Sequence, residues 1–153
     1  FRDQANLPRT VDYIQQNFPG SHTGIVVSSH MRNNEYFGRQ YRGSYVKAEE
    51  AYNWYMIEGP QLKRGASEFL IQGIELEYPI VSFVGDYYIQ DSRWVIDPQA
   101  DFKPEIRDRE TLIKNVYRVL LTRSRKGMFL YFPQDPKLNE TYQWFAEMLQ
   151  IKD

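Results

Sequence analysis

The sequence predicts an α/β domain in three layers, with a mainly parallel sheet and helices on both faces. Three observations predict it. Helical segments alternate with short strands along the chain. The strands are apolar almost throughout, the pattern of strands covered on both faces. The 153 residues, 42% of them hydrophobic, are enough for a single domain, 1–153, with a real core.

The first helix is expected over Thr10–Phe18, where Val11, Ile14 and Phe18 recur at helical spacing and Pro19-Gly20 ends the run. Thr23–Ser28 is β-branched and apolar, a buried strand. Ser29–Gly43 is polar and rich in Asn and Gly, a loop. Tyr45–Ile57 returns to helical spacing through Val46, Ala51 and Trp54 or Tyr55, and Gly59-Pro60 stops it. Ser67–Gln72 reads as a strand ending at Gly73, and Pro79–Val84 as another ending at Gly85-Asp86. Asp86–Arg107, with two prolines and scattered aromatics, reads as irregular. Asp108–Arg123 carries a broad apolar face of Leu112, Ile113, Val116, Tyr117, Val119 and Leu120. A strand over Met128–Phe132 and a helix over Pro136–Leu149 complete the chain.

Composition narrows the function classes. A net charge of −1 excludes a protein that holds nucleic acid by bulk charge, so such contacts need a local patch. The absence of cysteine removes disulfides and thiolate metal sites. No apolar run is long enough to span a bilayer, and no signal pattern opens the chain, so the expected location is cytoplasmic. Phe1 in place of Met implies a piece of a longer protein. His22 and His30, without clustered carboxylates, make a poor metal site, and no metal is expected. Trp54, Trp94 and Trp144 are expected in the core rather than at a cofactor.

Two segments carry chemistry: Glu68–Gly85 (EFLIQGIELEYPIVSFVG) and Asn115–Pro133 (NVYRVLLTRSRKGMFLYFP). In open α/β sheets ligands sit at the carboxyl ends of strands, and Gln72-Gly73 follows a predicted strand at that edge. Gly73 would let the backbone approach a ligand closely. Glu75 would accept from a sugar hydroxyl. Arg123, Arg125 and Lys126 put three cations within five residues, which suits polyphosphate. Glu75 and Glu77 alternate on an extended stretch and should share a side. Between Arg32 and Lys47, Arg39 and Arg42 interleave with Tyr36, Phe37, Tyr41 and Tyr45, a composition that suits single-stranded nucleic acid. Each also has a plainer reading: Arg123 as a cation at a helix end, Gln72-Gly73 as a turn, the cations from Lys114 onward as a solvated helix face, and the aromatic stretch as ordinary surface.

These segments resemble motifs V and VI of superfamily 1 helicases. More closely, they resemble the Schlafen group 3-like DNA/RNA helicase domain of bacterial proteins, on Gln72-Gly73-Ile74-Glu75, Gly85-Asp86, Trp94, Tyr117–Arg123 and Lys126-Gly127. The resemblance runs from about Ala51 to Leu149. It implies a RecA-like fold, the second lobe of a P-loop NTPase-type motor. It implies that Arg123 is the motif VI arginine, reaching the γ-phosphate of ATP across a cleft between lobes, as an arginine finger does. Gln72, Gly73 and Glu75 would be the motif V contacts to nucleotide sugar or phosphate, with Arg125 and Lys126 assisting. Ser124 stands where the family often has Gly, and Arg32 is the only candidate for the motif IV arginine.

No G-x-x-x-x-G-K-[ST] occurs and no aspartate pair follows an apolar strand. On this reading the phosphate loop and the Mg²⁺ site belong to an N-terminal Walker-containing lobe, the expected partner besides DNA or RNA, and this chain alone hydrolyses nothing. The alternative is a module that keeps the fold without motor activity and only binds nucleic acid or protein. A third reading takes Asp86, Asp91, Asp97 and Asp101, with Lys103, as a metal-dependent nuclease.

Overall fold

A computed structural model describes residues 1–31 and 48–150. Its core is a four-stranded, all-parallel sheet in the order β2-β1-β3-β6. The strands are β1 (Thr23–Val27), β2 (Ala66–Ser67), β3 (Tyr78–Ser82) and β6 (Phe129–Tyr131). Ile25 pairs with Ile80, and Ile80 with Phe129. Alternate residues serve opposite faces. Ile25, Ile80 and Tyr131 pack with Leu7 and Val11 of α1 (Asn6–Asn17), whereas Val26, Val81 and Phe132 join a cluster with Ile71, Ile113, Val116 and Leu120. The sheet therefore has helices on both sides, as expected.

α1 begins four residues before the expected start. Pro8 sits inside its first turn, where a missing N–H costs nothing because the first-turn donors have no intrahelical partner. The second helical stretch is composite: a 3₁₀ turn (Ala48–Glu50), a single α turn, α2 (Ala51–Asn53), and a π turn (Trp54–Glu58). Trp54 is its anchor. The ring is fully buried, and Nε1 donates to the Arg64 carbonyl at 2.8 Å. A Cβ on Gly24 would stand 2.8 Å from that ring, so β1 needs glycine there.

Two expectations are corrected. Ser67–Gln72 is not a strand. Only Ala66–Ser67 pairs with β1, and Glu68–Ile71 turns into a short helix, α3. Glu68, 2% exposed, explains the turn: its carboxylate accepts from Ser29 N–H at 2.9 Å and from Ser29 Oγ at 2.5 Å, just beyond the end of β1. Helical spacing then buries Ile71 with Glu68 and leaves Phe69 exposed. Asp86–Arg107 is not wholly irregular either. It holds an antiparallel hairpin of β4 (Tyr87–Gln90) and β5 (Arg93–Ile96). Asp91 and Ser92 form its two-residue turn with φ of 51° and 61°, the signs a type I′ turn requires.

α4 (Arg109–Leu121) starts where Asp108 Oδ1 accepts from Thr111 N–H at 3.0 Å. It buries Ile113, Val116, Tyr117 and Leu120, and Arg123 lies just past its end. A 3₁₀ turn (Pro136–Leu138) leads into α5 (Asn139–Met148). Of the tryptophans only Trp54 is fully buried. Trp94 and Trp144 meet edge-to-face at 6.0 Å and stay partly exposed. No described helix is long and apolar enough to cross a membrane.

Candidate functional site

Two chain segments meet at the amino ends of β3 and β6. The first, Gln72–Glu77, leads from α3 into β3; the second, Thr122–Gly127, leads from α4 into β6. Four backbone hydrogen bonds zip them together. Leu76 N–H donates to the Arg123 carbonyl at 3.2 Å, and Arg125 N–H to the Leu76 carbonyl at 2.9 Å. Lys126 and Gly127 N–H both donate to the Glu77 carbonyl at 3.2 Å. Ser124 closes the turn by donating from Oγ to the Gly127 carbonyl at 2.5 Å.

Gln72, Gly73, Glu75, Arg123 and Arg125 thus come together, but at the opposite edge of the sheet from the one expected. Gln72-Gly73 follows a helix rather than a strand, so the segment enters β3 instead of leaving one. An open cleft of about 580 Å³ lies there, lined by Gln72, Gly73, Ile74, Glu75, Arg123 and Arg125 on one side and Ala51, Tyr52 and Tyr55 on the other. That volume is in the range of small-molecule sites. Lys126 does not line the cleft; its backbone belongs to the zipper. Arg39, Arg42 and Arg32 lie outside the described residues.

Arg123 is partly buried, its Nε fully so and without an acceptor. Among the described residues its guanidinium makes no hydrogen bond or ion pair. Arg125 differs: it faces Glu75 at 3.4 Å, both side chains well exposed. Such an exposed pair is weak and opens readily, so Glu75 stays available to another donor. At Gly73 an added Cβ would meet no heavy atom within 4 Å, which leaves room beside the backbone.

Glu77 and Glu75 flank the fully buried Leu76, yet their surroundings differ. Glu77 is largely covered. Its Oε2 accepts from His22 N–H at 2.9 Å and stands 3.1 Å from His22 Nδ1. Burial pushes the Glu77 carboxyl up, but the His22 hydrogen bonds together outweigh it and hold it below the usual carboxylate range. His22 in turn stacks on Tyr55, with ring centres 4.0 Å apart. Sequence reading missed Tyr52 and Tyr55 as cleft residues. Their spacing of three along a helix was a usable signal, but Trp54 and Tyr55 competed for the core position and Trp54 holds it.

Two members of the acidic set, Asp86 and Asp97, are tied into the fold. Asp86 is fully buried, Tyr117 Oη donates to its Oδ1 at 2.5 Å, and burial raises both pKa values. Asp97 pairs with Lys137 at 2.9 Å, and Asp91 is exposed in the hairpin turn. Among the described residues, no three His, Asp or Glu side chains are grouped to hold a metal ion.

The sequence model of one family, described as Schlafen group 3, DNA/RNA helicase domain, matches residues 13–134. That span holds the whole sheet and both zipped segments. No curated protein and no solved structure matches the chain.

Proposed function

The chain belongs to the Schlafen group 3 DNA/RNA helicase domain family, and from that premise we propose that it is one lobe of an ATP-driven helicase or translocase, lending Arg123 to a nucleotide held mainly by a second, Walker-bearing lobe. The observation that carries this reading is the unpaired guanidinium of Arg123 in one cleft with Gln72, Gly73 and Glu75. A cation left without a counter-ion beside open backbone is a fit for phosphate oxygens. Glu75, tied only to an exposed arginine, fits a sugar hydroxyl. The space at Gly73 fits close approach of a ligand.

ATP supplies the transferable phosphoryl group when bound. Arg123 stabilises the charge that builds on that group, and its effect depends on being placed before the reaction starts. The zipper supports this reading, because the Leu76–Arg123 backbone hydrogen bond holds the main chain that carries the arginine. The phosphate loop and Mg²⁺ ligands are assigned to the second lobe, since the sequence has no Walker A pattern and, among the described residues, Glu75 is the one carboxylate lining the cleft. Nucleic-acid contact is assigned to Arg39 and Arg42 on sequence grounds.

In the complete protein, Arg123→Ala should lower ATP turnover by about 10³-fold while nucleotide binding stays within several-fold. Arg123→Lys should not restore it, because a lysine cannot present the planar fork. Unchanged turnover in Arg123→Ala sinks the assignment.

A further inference from the structure

The cleft has an aromatic end, and we propose that Tyr52 is the platform on which the base of the bound nucleotide stacks, with little discrimination between purines. The inference rests on the nucleotide reading above. Tyr52 and Tyr55 stand three apart on one helical stretch and line the same cleft as Glu75 and Arg123. Tyr55 is already committed: His22 covers one face of its ring, and its hydroxyl lies 3.4 Å from the Glu75 carbonyl. Tyr52 is 75% exposed and stacks on no other ring among the described residues.

An exposed tyrosine in a cleft offers a large flat face to any π system. The cleft therefore presents an aromatic ring, a carboxylate and a guanidinium together, the chemistries that suit base, sugar and phosphate. The backbone just after Tyr52 is anchored. The next turn is a π turn, a form common at functional sites, anchored by the buried Trp54 and its bond to the Arg64 carbonyl.

Selectivity follows from what surrounds the ring. Among the described residues, the only neutral hydrogen-bonding side chain lining the cleft besides the two tyrosines is the exposed Gln72 amide. An amide both donates and accepts, so it suits adenine and guanine alike. Stacking holds either purine because it reads a face rather than an edge.

The test is steady-state hydrolysis of ATP and GTP by the complete protein, with Tyr52→Ala, Tyr52→Phe and Arg123→Ala. Wild-type KM for the two nucleotides should agree within about threefold. Tyr52→Ala should raise both KM values about tenfold with kcat within about twofold, and Tyr52→Phe should restore them. An unchanged KM in Tyr52→Ala overturns the platform, as does a fall in kcat alone, which would mark a contact between lobes. A tenfold preference for ATP overturns the lack of discrimination. If turnover is too slow to measure, equilibrium binding of unlabelled ATP by isothermal titration calorimetry replaces KM, with the same roughly tenfold loss expected for Tyr52→Ala. Failure of the finger reading is separate: it appears as Arg123→Ala retaining kcat, whatever Tyr52→Ala does.

Discussion

Gly73 and Gly24 show how one residue type serves two ends. A Cβ at Gly24 would meet Trp54 at 2.8 Å and the Gly59 backbone at 3.1 Å, so that glycine belongs to the packing of β1. A Cβ at Gly73 would meet nothing, and its backbone needs no left-handed angle. Gly73→Ala should therefore leave stability unchanged or raise it by up to about 1 kcal/mol, as read by urea denaturation. On the proposed reading it should still weaken nucleotide binding by the complete protein. A loss of stability would return Gly73 to the fold. The sequence made Gly73 visible because a glycine beside Gln72 and Glu75 has a local meaning. It left Gly24 silent, because its reason is a tryptophan thirty positions on. Arg123 was legible as a cleft residue for the first reason, and Tyr52 was not, for the second.

At the scale of elements, local signals located helices better than they located strand pairs. The α4 start was expected at Asp108, and the structure places its cap there. The β4–β5 hairpin was not, because Asp91-Ser92 lacks the Asn-Gly or Asp-Gly signature of its turn. Holding Ser92 at φ 61° costs about 1 kcal/mol relative to glycine. Ser92→Gly should raise stability by about that amount in thermal unfolding, since glycine keeps the N–H that donates to Glu140 at 2.7 Å. No gain would mean that the turn is not strained at this position. α3 escaped prediction for another reason: Ser67–Gln72 has strand-like composition, and its conversion depends on Glu68 reaching Ser29, a contact made only once the sheet has formed.

The whole molecule is tied together by a buried pair, Asp86 after β3 and Tyr117 on α4. Burial raises the Asp86 pKa, so the folded chain keeps a proton that the unfolded chain releases near pH 4. The stability linked to that proton is complete below this range and declines as pH rises through the folded value. Asp86→Asn keeps an acceptor for the Tyr117 hydroxyl and should flatten that decline in a pH series of denaturation midpoints. An unaltered slope would place the linkage elsewhere. Tyr117→Phe should cost about 1–3 kcal/mol, by leaving a buried acceptor unsatisfied. Sheet order was beyond reach of the sequence, since nothing local says that β3 returns past β1 to lie on its other side. Gln72, Gly73, Glu75, Arg123 and Arg125 of the cleft were legible, but Tyr52, Tyr55 and the edge that carries them were not.

The zipper between Leu76-Glu77 and Arg123–Gly127 has a mechanical consequence. It continues directly into the β3–β6 ladder, so neither stretch can swing without tearing sheet. Arg123 is thus a tooth fixed to the block rather than a hinged latch. On the proposed reading, any stroke that carries the Arg123 backbone toward a nucleotide must carry the sheet as well.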